Sequence, residues 1–256
     1  MYVVRFLFVL LLFGKAMSLN MDGLVGTTTG YNRAVLWDVD GTLSDSYMLG
    51  FTSTQKVLTN NGQESITETE YHQGTKYTTP RRLAWHVTGN PDDRIGESLG
   101  REFDDLYVNL VSIDTAPLYP GILDTLKNIK KLHGTVQHGA LSNACGAYVR
   151  AVLDVNFVSQ LFSVGLGADE VPAAKPAPDG LFQCCDVLKL DPKHCIYIGD
   201  SPTDGQAAAA AGMPSVGVTW GSHPVESVTK AFTYTAFTVA ELETYILKLL
   251  SEDVPP

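Results

Sequence analysis

Residues 34–46 read AVLWDVDGTLSDS, a short apolar run that ends in Asp38, with Asp40 two residues on, a Gly-Thr turn, and a third acid at Asp45. Four to five apolar residues bounded by turn chemistry read as a buried strand. Asp-Gly after a strand can also make a hairpin, but the chain does not come back as a second strand. Tyr47, Met48, Phe51 and Leu58 recur at helical spacing instead, so the strand passes into helix. Strand side chains alternate faces, which points Asp38 and Asp40 the same way, separated by roughly 7 Å of backbone at about 3.3 Å per residue. A buried strand that ends in two mutually repelling carboxylates needs something to make them tolerable, and that requirement organises the rest of the chain.

Residues 47–118 stay helical in style. Arg81 to Val87 reads as helix, and Phe103, Leu106, Tyr107, Leu110 and Val111 form a stripe at i, i+3, i+4, i+7 and i+8. From Pro120 the pattern becomes an alternation of helix and short apolar strand, the signature of parallel βα units. PGILDTLKNIKKLHG opens on Pro, carries Ile122, Leu126 and Ile129 on one face, and ends at Gly134 after a Lys-rich turn. Strands are expected at 138–142, 163–166, 195–199 and 215–219, and helices near 146–156, 178–189, 202–212 and 239–250. The expected fold is α/β: a parallel sheet with helices on both faces, built from residues 21–46 and 119–256, and an inserted all-helical segment at 47–118.

With 256 residues, 45% of them hydrophobic, the chain can bury a full core. Its formal charge of −10 comes with no basic stripe, which leaves attraction to a nucleic-acid backbone without a source. Cys145, Cys184, Cys185 and Cys195 show no metal-ligand spacing and are too sparse for a disulfide scaffold, so they read as buried thiols. Residues 1–20 are different in kind: Arg5 precedes the apolar run Phe6 to Phe13, and Ala16-Met17-Ser18 offers small residues where a signal peptidase reads. Eight residues cannot span a bilayer. This targeting or signal-like segment implies a secretory route or, read as a presequence, an organelle; an upstream extension with the start at Met17 or Met21 would leave the protein cytoplasmic.

Ligands of an open parallel sheet bind beyond the carboxyl ends of its strands. Four such ends carry polar residues. At the first, one carboxylate of Asp38 and Asp40 can attack phosphorus while the other, protonated, serves the departing oxygen. At the second, LSNACG, Ser142 can set a hydroxyl beside the N–H groups of a helix N-terminus, a seat for phosphate oxygens, although Ser-Asn also caps helices. At the third, AAKPAPDG, the Lys175 ammonium can balance Asp38 and a phosphate together, where a surface lysine would merely be solvated. At the fourth, IGDSPTDG, Ser201, Pro202 and Asp204 fit a helix capping box. Asp200 sits before that cap, and a third carboxylate there calls for a cation such as Mg²⁺, which prefers oxygen ligands.

DVDGT, a strand-end Ser, a Lys and GDSPTD, in this order, resemble the four motifs of the haloacid-dehalogenase-like superfamily from about residue 33 to residue 250. The resemblance implies a Rossmann-like core with a helical cap that closes over the site. It implies that Asp38 is the nucleophile forming an aspartyl-phosphate and Asp40 the general acid, then base. Thr42, Ser142, Asn143 and Lys175 would hold the phosphate of a small phosphorylated metabolite. Mg²⁺ would be bound by the Asp38 side chain, the Asp40 carbonyl and Asp200, with Asp204 supporting it through water. In the cap, HQGTKYTTPRR resembles a substrate-facing loop, making Lys76, Arg81 and Arg82 candidates for reading a carboxylate or second phosphate, with solvated cap charges as the alternative. Asp45 leaves the chemistry and is expected to turn or cap the chain where the insertion starts.

Dehalogenases of the superfamily lack the second acid of the first motif, so Asp40 argues for a phosphatase, and SVGVTWGSHPVES is similar to the phosphoglycolate-phosphatase-like group. Sugar-phosphate phosphatases, pyrophosphatases and β-phosphoglucomutases share the core and the cap type. A non-catalytic binding protein on the same fold is the alternative from another class; the presence of Asp38, Asp40, Lys175 and Asp200 argues against it.

Overall fold

The structure is a computed structural model and describes residues 33–252, so the expected targeting segment at 1–20 lies outside the described residues. Six strands form one parallel sheet: β1 (Arg33–Trp37), β2 (Val136–Leu141), β3 (Phe162–Leu166), β4 (Cys195–Gly199), β5 (Ser215–Val218) and β6 (Tyr234–Ala236), in the order β3-β2-β1-β4-β5-β6. The chain builds outward from β1 to β3 on one side, then crosses back to β4 and builds outward on the other. The reversal opens a crevice at the ends of β1 and β4, the place where such sheets bind ligands.

The period-2 pattern of β1 assigns its faces. Val35 and Trp37 join one apolar cluster, with α5 (Ile122–Leu132), α6 (Gly146–Val155) and α10 (Val239–Ser251). Ala34 and Leu36 join the other, with α7 (Asp179–Leu188) and α8 (Pro202–Ala210). Helices therefore cover both faces, as expected for strands apolar on both sides. Ile122, Leu126 and Ile129 form the fully buried stripe of α5. A short helix α9 (Val225–Ala231) and the strand β6 lie within 220–238, a stretch for which no element is expected from the sequence; three residues of strand are too few for a period to register.

Between β1 and α5 the chain makes four helices: α1 (Tyr47–Asn60), α2 (Glu68–Gly74), α3 (Thr79–Thr88) and α4 (Ile95–Asn109). The buried face of α1 differs from the expected one. Leu49, Ser53, Val57 and their neighbours Gly50, Thr54 and Leu58 pack inward, whereas Met48 is 55% exposed and Tyr47 and Phe51 are half-buried. Small residues let α1 lie close to its partners: a Cβ at Gly50 would collide with the Tyr71 hydroxyl. Leu83, Leu99, Phe103 and Tyr107 continue the cluster that holds Val35 and Trp37, so the inserted helices share a core with one sheet face.

The four cysteines are buried and none is in a disulfide. Among the described residues, no helix is long and apolar enough to cross a membrane.

Candidate active site

One cavity of about 120 Å³ opens beyond the ends of β1 and β4, and its wall includes Asp38, Asp40, Ser142, Asn143, Lys175, Asp200 and Asp204. The four strand-end segments thus converge. The Asp38 N–H donates to the Ile198 carbonyl at 2.8 Å, which carries the β1–β4 ladder up to the site.

Lys175 is the hub. Its buried Nζ, with three N–H donors, lies among four acceptors: Asp38 Oδ1 and Asp204 Oδ1, each at 2.6 Å, the Tyr197 hydroxyl at 3.0 Å and the Leu141 carbonyl at 3.2 Å. Burial alone would lower the lysine pKa, but the Asp204 and Asp38 carboxylates outweigh it and hold the ammonium above its ordinary range. Asp204 is held below the usual carboxylate range: burial acts upward, and Lys175 together with Ser201 and Tyr197 overcomes it.

Asp38 and Asp200 are pushed the other way. Burial, then the charges of Asp204 and Asp200, raise Asp38 well above the usual range against the pull of Lys175. Burial raises Asp200 despite its hydrogen bond with His223. Carboxylate oxygens of Asp38, Asp200 and Asp204 lie within 4.8 Å of one another, all on buried residues. Two glycines press Asp200 into this cluster, since a Cβ at Gly41, whose φ is +79°, or at Gly221 would overlap its carboxylate. Four carboxylates line the cavity against the cations Lys175 and Arg82, and the donors are oxygens, so the site fits a hard divalent cation such as Mg²⁺.

Asp40 is gripped by four hydroxyls. Oδ1 accepts from Ser46 at 2.6 Å, Tyr107 at 2.9 Å and Tyr148 at 2.6 Å, and Oδ2 accepts from Ser142 at 2.9 Å. Asp38 and Asp40 are therefore compatible because each has its own partners.

The remaining candidate residues have partners within the protein. Thr42 is fully buried and absent from the cavity wall; its hydroxyl donates to Asp38 Oδ2 at 3.3 Å. The Asn143 side-chain amide is spent on the Lys175 backbone, donating to its carbonyl at 2.9 Å and accepting its N–H at 3.0 Å. The N-terminus of α6 is partly filled by protein: Gly146 N–H donates to Asp169 and Ala144 N–H to the Ser142 hydroxyl. Asp204 closes the capping box with Ser201, as its spacing predicts. Asp45 does not cap α1, whose N-cap is Ser46 with no side-chain cap; Asp45 gives its backbone N–H to the Pro117 carbonyl.

Of the three basic residues of HQGTKYTTPRR, one reaches the cavity. Lys76 stands over the Tyr77 and Trp85 rings and Arg81 pairs with Asp92, both exposed. Arg82 lines the cavity, is 9% exposed, lies over the Tyr71 and Phe103 rings, and leaves Nε and Nη2 buried without a partner.

Tyr107, Tyr148 and His223 were not singled out from the sequence. His223 meets the strand-end rule, following β5 by five residues, and its Nδ1 lies 3.3 Å from Asp200 Oδ2. The two tyrosines carry no comparable signal, because Tyr107 belongs to an apolar helical stripe.

Known proteins place this arrangement. The family model described as haloacid dehalogenase-like hydrolase matches residues 35–218. Phosphoglycolate phosphatase of Pseudomonas putida is 30% identical over 194 residues, covering 74% of this chain and 70% of that protein. Phosphoglycolate phosphatase of Shigella dysenteriae is 30% identical over 217 residues, covering 77% and 84%. Among solved structures, CbbY of Rhodobacter sphaeroides bound to xylulose-1,5-bisphosphate superposes with a TM-score of 0.71 at 20% identity, over 82% of this chain and 96% of its own, a likeness of fold. With four strand-end motifs meeting in one cavity and a family match over most of its length, the chain belongs to the haloacid dehalogenase-like hydrolases.

Proposed function

We propose that this phosphatase hydrolyses a small phosphomonoester that carries a second anionic group, phosphoglycolate being the simplest case, through a phosphorylated Asp38. The observation that carries the substrate class is Arg82: a guanidinium with two buried, unpartnered N–H-bearing nitrogens on the wall shared with Asp38. Such donors are costly when unmatched and bind a carboxylate well. A cavity of about 120 Å³ suits a ligand of few atoms. The relatives named for phosphoglycolate support the same reading.

In the first step an Asp38 oxygen bonds to phosphorus as the bond to the substrate's bridging oxygen breaks, and the Asp40 carboxyl gives that oxygen its proton. In the second, the Asp40 carboxylate takes a proton from a water whose oxygen attacks phosphorus, and the bond to Asp38 breaks. The products are the alcohol and inorganic phosphate, with both acids restored. Lys175 and Ser142 face the transferring group. Mg²⁺, held by Asp38 and Asp200, would supply positive charge for the phosphate oxygens, and Asp204 orders the metal side through Lys175 and Ser201. The helices α1–α4 act as a cap, shielding the intermediate from bulk water.

The test is turnover with Mg²⁺ over a panel of phosphoglycolate, sugar phosphates and p-nitrophenyl phosphate, alongside Asp38→Asn. Phosphoglycolate is expected to have the highest kcat/KM and the variant to be inactive. A wild type inactive over the whole panel favours a binding protein, and turnover surviving in Asp38→Asn removes the nucleophile. Preference for a sugar phosphate, or sugar isomerisation dependent on a bisphosphate, would reassign the substrate.

A further inference from the structure

The hydroxyls on Asp40 come from separate parts of the fold. Ser46 precedes α1, Tyr107 lies on α4 of the inserted helices, Tyr148 lies in the first turns of α6 on the sheet, and Ser142 follows β2. The two tyrosine rings stack with centroids 4.1 Å apart at 17°, and both hydroxyls end on the same oxygen, Oδ1. Packing alone would be served by phenylalanine, and Tyr148 is 0% exposed, so its hydroxyl has a partner inside the protein or none. Burial first, and then the charge of Asp40, raise both phenols well above their ordinary range, so they remain O–H donors. Three donors on Oδ1 hold that oxygen, while Ser142, which lines the cavity, meets Oδ2. With three donors already on Oδ1 and one on Oδ2, Oδ2 is the oxygen with capacity left for a substrate.

We propose that Tyr107 and Tyr148 are positioning residues that aim the Asp40 carboxyl at the leaving oxygen, and that Tyr107 makes this aim depend on the inserted helices being seated on the core. Neither phenol exchanges a proton with the substrate. Asp40 Oδ2 carries the proton that the bridging oxygen receives as its bond to phosphorus breaks. The inference rests on the phosphatase reading above. It predicts a dependence on the leaving group, because an alkoxide needs that proton and a p-nitrophenolate hardly does.

The experiment compares kcat/KM of Tyr107→Phe and Tyr148→Phe on phosphoglycolate, or whichever alkyl phosphomonoester the wild type turns over best, and on p-nitrophenyl phosphate. On the alkyl ester each variant is expected to lose about tenfold or more, chiefly in kcat, and on the aryl ester about twofold or less. A ratio of the two losses below about fivefold in Tyr107→Phe overturns the proposal, because a structural defect lowers both esters alike. Thermal unfolding separates misfolding from mispositioning, and Tyr107→Phe, at the cavity wall, carries the test if Tyr148→Phe fails to fold. A wild type that hydrolyses neither ester overturns the phosphatase reading and the proposal with it. A wild type active on both, with equal losses in the variants, overturns the proposal alone.

Discussion

Lys175 Nζ sits 2.6 Å from Asp38 Oδ1 across 137 residues of sequence, with the ammonium 4% exposed and the carboxylate 7%. The same nitrogen is 2.6 Å from Asp204. A buried pair of this kind is weak evidence of stability as a whole, but removing one member leaves charge stranded. Lys175→Met is expected to lose about 3–5 kcal/mol in urea unfolding without metal, and to lower kcat by roughly a hundredfold or more. Adding Asp204→Asn should recover part of the stability and none of the activity. Unchanged unfolding in Lys175→Met would mean that the lysine does not hold the site together.

Asp38 and Asp200 have raised folded-state pKa values, with burial the first cause of each. A carboxyl raised in the folded state weakens the fold wherever the unfolded chain is ionised, above about pH 4, so the metal-free protein is penalised at neutral pH. Mg²⁺ at about a hundred times its Kd should therefore raise Tm by roughly 5–10 °C, and EDTA should reverse it. Asp200→Asn is expected to match or exceed the wild-type Tm without metal and to lose most of the Mg²⁺ response. A full response in that variant would take Asp200 out of the metal site.

Arg82 Nε and Nη2 have no hydrogen-bond partners to lose, so what its replacement takes from the fold is its stacking over the Tyr71 and Phe103 rings. Arg82→Met is expected to raise KM for phosphoglycolate by about 10–100-fold, the worth of a charge-assisted pair, and to change KM for a phosphoester without a second acid by less than about threefold. Its Tm should fall by no more than about 8 °C, the worth of the lost ring contacts. Arg82→Lys should fail to rescue, since an ammonium cannot reproduce the two-pronged contact. Equal changes on both esters would take Arg82 out of substrate recognition.

His138 lies in the core, where Nδ1 accepts from the Trp37 indole at 3.1 Å and Nε2 is 3.3 Å from the Leu126 carbonyl. Burial pushes its pKa down from 6.5 to about 4. The unfolded chain binds this proton more readily, so the stabilising term is complete above about pH 6.5 and is lost as pH falls toward 4. The loss is on the order of 3 kcal/mol over that window. Urea midpoints between pH 7 and 4 should fall less steeply in His138→Gln than in the wild type. An identical slope would assign the acid sensitivity elsewhere, His86 being pushed to about 4 by its own burial.

The parallel α/β core and the carboxyl and serine positions at its strand ends are legible in the sequence, as is the lysine segment that follows β3. Both depend on local rules: strands and helices announce their periods, and in a parallel sheet every strand ends on the same edge, so residues just past Trp37, Leu141 and Gly199 must gather there. Even Asp204 was legible as a capping residue, since a capping box is contained within four consecutive residues. How charges and hydroxyls pair is settled by packing between distant elements. The apolar pattern of α1 points to a different face from the buried one because Ser53 and Thr54 pack inward as small residues, while apolar Met48 faces out. Thr42 turned under Asp38, and Arg82 went inward while Arg81 stayed outside. Tyr107 and Tyr148 meet on Asp40 from 67 and 108 residues away. A hydroxyl or guanidinium carries no periodicity that names its partner, and which one it finds is decided by helices packing across the sheet.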